Sequence, residues 1–232
     1  MVLHYEKSAV NLFTVKPQCP IEFSQWGILR EEPNMAEYEQ VSQPFAPVYD
    51  KDSRILILGS LPSVKSREQG FYYGHARNRF WPMLAAVCGE EVPKSIPEKK
   101  ALLLRHGLAV YDVIESCEIR GSSDSSIRNV KAADIRAIMD ASRIERILVN
   151  GRTAAKYFKA YQPAAYQQML IELPSTSPAN AAFSLEKLVE IWGRAISSIS
   201  LPKTEQSQHL RIRNQVGGNS AQGQNISFRF TP

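Results

Sequence analysis

The rhythm of apolar and polar positions changes near residue 51. Before it no period holds. Prolines at 17, 20, 33, 44 and 47 interrupt the chain, each fixing its own backbone and turning the preceding residue away from helix. Phe13, Phe23, Trp26, Tyr38 and Phe45 speak against full disorder, so residues 1–43 are expected to form an irregular arm. After residue 51, short apolar runs alternate with stretches of helical spacing. Arg54 to Leu58, closed by Gly59, has the pattern of a fully buried strand, and Leu108 to Val113, Ile144 to Val149 and Met169 to Leu173 are three more candidates. Helices are predicted over Phe80–Cys88, Pro97–His106, Ala132–Ser142, Thr153–Tyr161 and Ser184–Ile199. Pro97 near a first turn and Gly107 past a last one punctuate the second of them. Leu185, Leu188, Val189 and Trp192 give the last its apolar face.

Apolar strands separated by helices imply a parallel sheet covered on both faces. The expected fold is α/β: a three-layer α/β/α domain over residues 44–199 with a central, mainly parallel four-stranded sheet. Residues 200–232 are polar and basic, readable equally as a marginal hairpin or as a flexible tail. Ligands of such sheets bind beyond the carboxyl ends of the strands. Those ends read Gly59-Ser-Leu-Pro, Tyr111-Asp-Val, Asn150-Gly-Arg-Thr and Pro174-Ser-Thr-Ser-Pro-Ala-Asn180.

Composition narrows the class. With 44% hydrophobic and 22% charged residues, the 232-residue chain is neither collagenous, coiled-coil nor wholly disordered. No apolar run approaches the ~20 residues of a membrane span, and the first fifteen residues lack the apolar core of a signal peptide. A cytoplasmic protein, nucleoid-associated if bacterial, with no membrane partner is expected. Cys19, Cys88 and Cys117 are odd in number and far apart, which argues for reduced thiols and against a metal centre. The net charge of +5 is unevenly spread: −4 over residues 1–50, +6 over 51–200 and +3 over 201–232. A basic middle suits a polyanion such as nucleic acid.

Three segments carry chemistry. Gly59-Ser60-Leu61-Pro62-Ser63 follows the first strand without the spacing of a phosphate-binding P-loop, and an ordinary strand-to-helix turn would account for it. Phe71-Tyr72-Tyr73-Gly74-His75-Ala76-Arg77-Asn78-Arg79-Phe80-Trp81 sets five rings and a histidine among two arginines and an asparagine. Rings stack on bases, arginines neutralise phosphates, and an asparagine holds a base edge or a water. Phe80 and Trp81 are expected to anchor the next helix in the core. Ser175-Thr176-Ser177-Pro178-Ala179-Asn180 is a stiffened hydroxyl-rich loop suited to a phosphate backbone.

These segments, in this order, resemble the signature motifs of the uracil-DNA glycosylase superfamily, nearest its hypoxanthine-DNA (deoxyinosine) glycosylase branch. Gly107-Leu-Ala-Val-Tyr-Asp112 and Ile147-Leu-Val-Asn-Gly151 fit the intervening strands, and the resemblance spans about residues 44–199. It implies a monofunctional glycosylase of DNA base-excision repair that needs no cofactor and no metal. Its partner would be DNA carrying a deaminated base, hypoxanthine first and uracil next, and the enzyme a monomer. It further implies Asn78 and Ser60 as catalytic residues, with Asn78 orienting the attacking water. Tyr72, Tyr73, Asp112 and Leu61 would form the base pocket. Ser175, Thr176, Ser177, Pro178 and Asn180, with Arg77 and Arg79, would meet the DNA backbone. Ser60 stands where many members have an acidic residue or asparagine, Leu173 where many have histidine, and Asp112 where the uracil-specific branch has asparagine. The hypoxanthine-directed branch shares these departures. A non-catalytic binder of damaged or single-stranded DNA, and an enzyme acting on free nucleotides, are the competing readings. Formation of an alkali-labile abasic site separates the first of them from a glycosylase.

Overall fold

The computed structural model describes residues 37–121 and 123–197. The expectations for residues 1–36, including Cys19, and for residues 198–232 lie outside the described residues.

Four parallel strands form the central sheet in the order β3-β2-β6-β7. They are β2 (Ile55–Gly59), β3 (Leu108–Asp112), β6 (Arg146–Asn150) and β7 (Leu170–Leu173). The expected fold class is therefore the one found. β2 lies between β3 and β6 and is buried at all five positions, which is why it reads as an unbroken apolar run. Its alternate side chains serve two cores. Ile55 and Ile57 pack with α2 (Phe80–Cys88), α3 (Ile96–Arg105) and α7 (Leu185–Ser197). Leu56 and Leu58 pack on the other face with α5 (Arg152–Tyr161) and with α4 (Arg136–Ala141), through Ile138. α1 (Val64–Gln69) follows β2 and pairs Arg67 with Glu39, and α6 (Ala164–Gln167) is a single short turn before β7. α2 and α3 lie on the opposite face of the sheet from α5, the helix after β6. The carboxyl ends of β2 and β6 thus form the switch point beyond which such sheets hold ligands.

A second sheet was not expected. β1 (Tyr38–Ser42), β4 (Ile114–Arg120) and β5 (Arg128–Ala132) form an antiparallel sheet in the order β1-β4-β5. Val41, Ile114, Cys117 and Ile119 turn inward onto the second core. Residues 38–42, expected in an irregular arm, are thus drawn into a strand by register pairing with β4 from Tyr38↔Arg120 to Ser42↔Ser116. The helix expected over 132–142 shortens to α4, because Ala132 ends β5 and Asp134 accepts the Arg136 N–H at 2.9 Å to start the turn. α3 begins with a full capping box between Ser95 and Glu98. No helix of the described residues is long and apolar enough to cross a membrane.

Candidate active site

Parallel pairing aligns the four strand ends. Gly59 lies opposite Asp112, and Asn150 opposite Leu173. Two close approaches tighten this edge. A side chain at Gly59 would collide with Asp112 Oδ1 and come within 3.2 Å of the Tyr73 hydroxyl. One at Gly151 would sit 2.7 Å from Ser175 Cβ, and Gly151 also has φ +95°. Only glycine serves either position.

A relay of side-chain hydrogen bonds crosses from β6 to the aromatic loop. Thr176 N–H donates to Asn150 Oδ1 at 2.9 Å, and Asn150 Nδ2 donates to Thr176 Oγ1 at 3.0 Å. The hydroxyl then spends its proton on Asn78 Oδ1 at 2.9 Å, where the Phe80 N–H also donates at 3.0 Å. Each link forces the next. The backbone N–H of Thr176 fixes the Asn150 amide, that amide fixes the direction of the hydroxyl, and the hydroxyl fixes Asn78. Asn78 is left with Nδ2, a donor, as its atom outside the relay. Thr176 is fully buried, so the relay is shielded from competing water.

The loop from Ser175 to Phe183 is held from behind by Arg79. Its guanidinium donates to the carbonyls of Thr176 (3.3 Å), Ser177 (2.5 Å), Asn180 (2.9 Å) and Phe183. Asn180 Nδ2 closes the loop on the Ser175 carbonyl at 2.9 Å, and Trp192 Nε1 grips the Pro174 carbonyl at 3.1 Å.

The other half of the edge is titratable. Asp112 is 4% exposed, and its carboxyl is pushed up to about 7 by burial, against a lowering hydrogen bond from Gln43. Gln43 Nε2 donates to Asp112 Oδ2, while Gln43 Oε1 accepts the Phe45 N–H at 3.1 Å. Tyr73 stands between the halves. Its ring stacks on Phe80, with centroids 3.7 Å apart at 19°, and its backbone has φ +54°. Its hydroxyl is buried and meets no partner in hydrogen-bonding geometry, although Asn150 and the Asp112 carboxylate both act on it. Burial first, then the Asp112 charge, raises its pKa well above the ordinary phenol value. Left-handed backbone on a bulky residue and an orphaned buried hydroxyl each cost of order 1–3 kcal/mol. Both converge on this one residue.

Several residues expected at the site are placed elsewhere. Tyr72 is 2% exposed, and its hydroxyl donates to the Ala46 carbonyl at 3.1 Å. Phe45 and Phe71 meet its ring edge-on, leaving a core residue with no face for a base. Leu61, two residues past the end of β2, packs against the second core instead. Arg79 and Thr176 turn inward as scaffold, whereas Arg77 is exposed. Ser60 is half-buried, its carbonyl accepting the Ile114 N–H at 3.2 Å, and no carboxylate or imidazole bonds to its hydroxyl among the described residues. Ser175, Ser177, Pro178 and Asn180 are half-buried in the loop itself. Asn150 and Gln43 were not anticipated. The Asn150-Gly151 dipeptide at a strand end was a usable signal, whereas Gln43 lies in a segment without period.

Residues 46–195 match the profile of the Uracil DNA glycosylase superfamily. The Hypoxanthine DNA glycosylase of Methanosarcina acetivorans is 34% identical over 146 residues, covering 62% of this chain and 91% of that protein. Its counterpart of the same name in Methanosarcina barkeri is 32% identical over 156 residues, covering 66% and 96%. A solution NMR structure from Methanosarcina acetivorans, solved as a candidate uracil DNA glycosylase, superposes with a TM-score of 0.58 at 30% identity. That superposition covers 67% of this chain and 96% of the other.

Proposed function

The chain belongs to the uracil DNA glycosylase superfamily, and from that premise we propose that it is a monofunctional DNA glycosylase of base-excision repair. It hydrolyses the N-glycosidic bond of a deaminated base in DNA, hypoxanthine before uracil. The observation that carries this reading is the relay that pins Asn78 beside the Ser175–Asn180 loop at the switch point of the sheet. The names of the two Methanosarcina relatives support the choice of base.

The target nucleotide leaves the helix stack and enters the crevice at the strand ends. Asn78 Nδ2 donates to a water and aims its remaining lone pair at C1′. The C1′–N bond breaks as the water adds, the sugar passes through an oxocarbenium-like state, and the base departs with the bonding electrons. The water's proton is lost to solvent and the base is protonated as it leaves. An amide cannot take a proton from water, so Asn78 positions the nucleophile without acting as a base. That is sufficient where bond breaking runs ahead of attack. Asp112 Oδ1 and the Tyr73 hydroxyl meet the edge of the base, which supplies the partner that the hydroxyl otherwise lacks. Arg77 and the outer face of the Ser175–Asn180 loop meet the phosphate backbone.

A panel of duplexes, each carrying one modified base and scored for strand scission after hot alkali, tests the proposal. Scission at deoxyinosine is the expected result. Binding without scission at any member of the panel would return the chain to the non-catalytic alternative.

A further inference from the structure

Gln43 follows β1 directly and lies just before residue 46, where the family match begins. Its bond from the Phe45 N–H fixes which end of its amide faces Asp112. Oδ2 is thereby engaged as an acceptor, and a proton on the carboxyl goes to Oδ1. Oδ1 itself lies against the bare α-carbon of Gly59, with the Tyr73 hydroxyl at the same spot. The titratable groups around the carboxyl are the phenols of Tyr72 and Tyr73 from the aromatic loop and of Tyr111 from β3. Two influences act on the carboxyl itself. Burial pushes its pKa up to about 7, and the Gln43 hydrogen bond pulls it down.

We infer that Gln43 is a positioning residue that sets base discrimination, holding Asp112 as a hydrogen-bond acceptor with Oδ1 left for the edge of the extruded base. The inference rests on the placement of Asp112 against the base proposed above. Hypoxanthine and uracil share a lactam edge, a ring N–H beside a C=O, and that N–H donates to a carboxylate oxygen. Adenine and cytosine, the amino parents of these two bases, carry a lone pair on the same ring nitrogen, which a carboxylate repels. Guanine and thymine keep the lactam edge, so the discrimination meant is between a deaminated base and its own parent. Protonation of Asp112 inverts the sense, because Oδ1–H would then donate to the ring nitrogen of adenine or cytosine. By stabilising the charged form, Gln43 keeps the state that prefers a deaminated base to its amino parent populated near neutral pH.

Two variants of similar bulk, Gln43→Leu and Gln43→Met, remove the donor, and folding of each is checked by circular dichroism. Single-turnover excision from deoxyinosine and from undamaged duplex is followed from about pH 5.5 to about pH 9. The Asp112 carboxyl is titrated in parallel by carbon-13 NMR of aspartate-labelled protein. Wild-type excision should rise with pH through a midpoint near the Asp112 value of about 7. In both variants the rate midpoint and the NMR midpoint should move up together by about one pH unit, with rates at the alkaline end within about twofold of wild type. Selectivity for deoxyinosine over deoxyadenosine should fall by about tenfold on the acid side. A fractional loss equal at every pH, or an Asp112 titration that does not move, overturns the inference while leaving the glycosylase intact. Wild-type protein that cleaves no lesion overturns the glycosylase reading and the discrimination role together, and the NMR titration alone then tells whether Gln43 governs the carboxyl.

Discussion

The two halves of the strand-end site are built on opposite principles. The half formed by Asn150, Thr176 and Asn78 is neutral and paired except at Asn78 Nδ2, and its direction is locked from a backbone N–H outward. The half formed by Asp112, Gln43 and Tyr73 is titratable, and it contains a carboxyl raised by burial and a hydroxyl without a partner. Groups that only position need no change of charge and gain from complete pairing. A group that distinguishes one base edge from another must keep an atom free. On the proposed function, the first half would supply pH-independent geometry and the second pH-dependent recognition.

The heaviest blow to this division falls on Asn78. Asn78→Ala should cut single-turnover excision by about 10²–10³-fold, the loss typical of one preorganised donor. Affinity for lesion DNA should stay within about threefold, and the pH profile should keep its midpoint. A profile that shifts in this variant would place titration in the wrong half. Next comes Thr176→Val, which keeps shape and removes the hydroxyl. It leaves Asn150 Nδ2 and Asn78 Oδ1 short of a partner and should lower thermal stability by about 1–3 kcal/mol. Excision should fall about tenfold as Asn78 loses its fixed orientation.

Asp112→Asn strikes the other half and has the opposite sign in stability. With the folded pKa raised from 3.8 to about 7, the native carboxyl binds its proton more tightly than the unfolded one does. Its contribution is fully present below about pH 4 and is lost as pH rises through about 7. At about pH 8 the neutral amide should therefore gain about 1–3 kcal/mol, and urea unfolding on both sides of the window measures it. No gain at alkaline pH would mean that burial of this carboxylate costs little. Arg77→Ala should do least. Binding to any duplex should weaken by a few-fold and the salt slope should drop by about one, with the pH profile untouched.

The parallel sheet was open to sequence reading because both faces of β2 are buried, and five apolar residues in a row state that directly. The antiparallel sheet was hidden for physical reasons. β4 follows β3 after Val113 alone, and irregular register at Ser116 breaks the simple alternation of its inward residues. β5 is half-buried at best, so Arg128-Asn-Val-Lys-Ala132 carries little apolar signal. At the site, Asn78, Asp112 and the Ser175–Asn180 loop stood out through residue type and place. The roles of Tyr72 and Tyr73 could not be separated, since two adjacent tyrosines differ only in which way the backbone turns, and φ +54° at Tyr73 decides it. Arg79 misled for a similar reason. A guanidinium beside a loop suits phosphate and carbonyl oxygens equally well, and here four carbonyls take it.

That choice of partners has an effect beyond the loop. Carbonyls satisfy the donors of Arg79 without cancelling its charge, and none of its bonds goes to a carboxylate among the described residues. The loop thus rides on a half-buried positive charge. On the proposed function, such a charge behind a DNA-facing loop would favour the diffusional approach of a polyanion at low ionic strength without touching the strand it attracts.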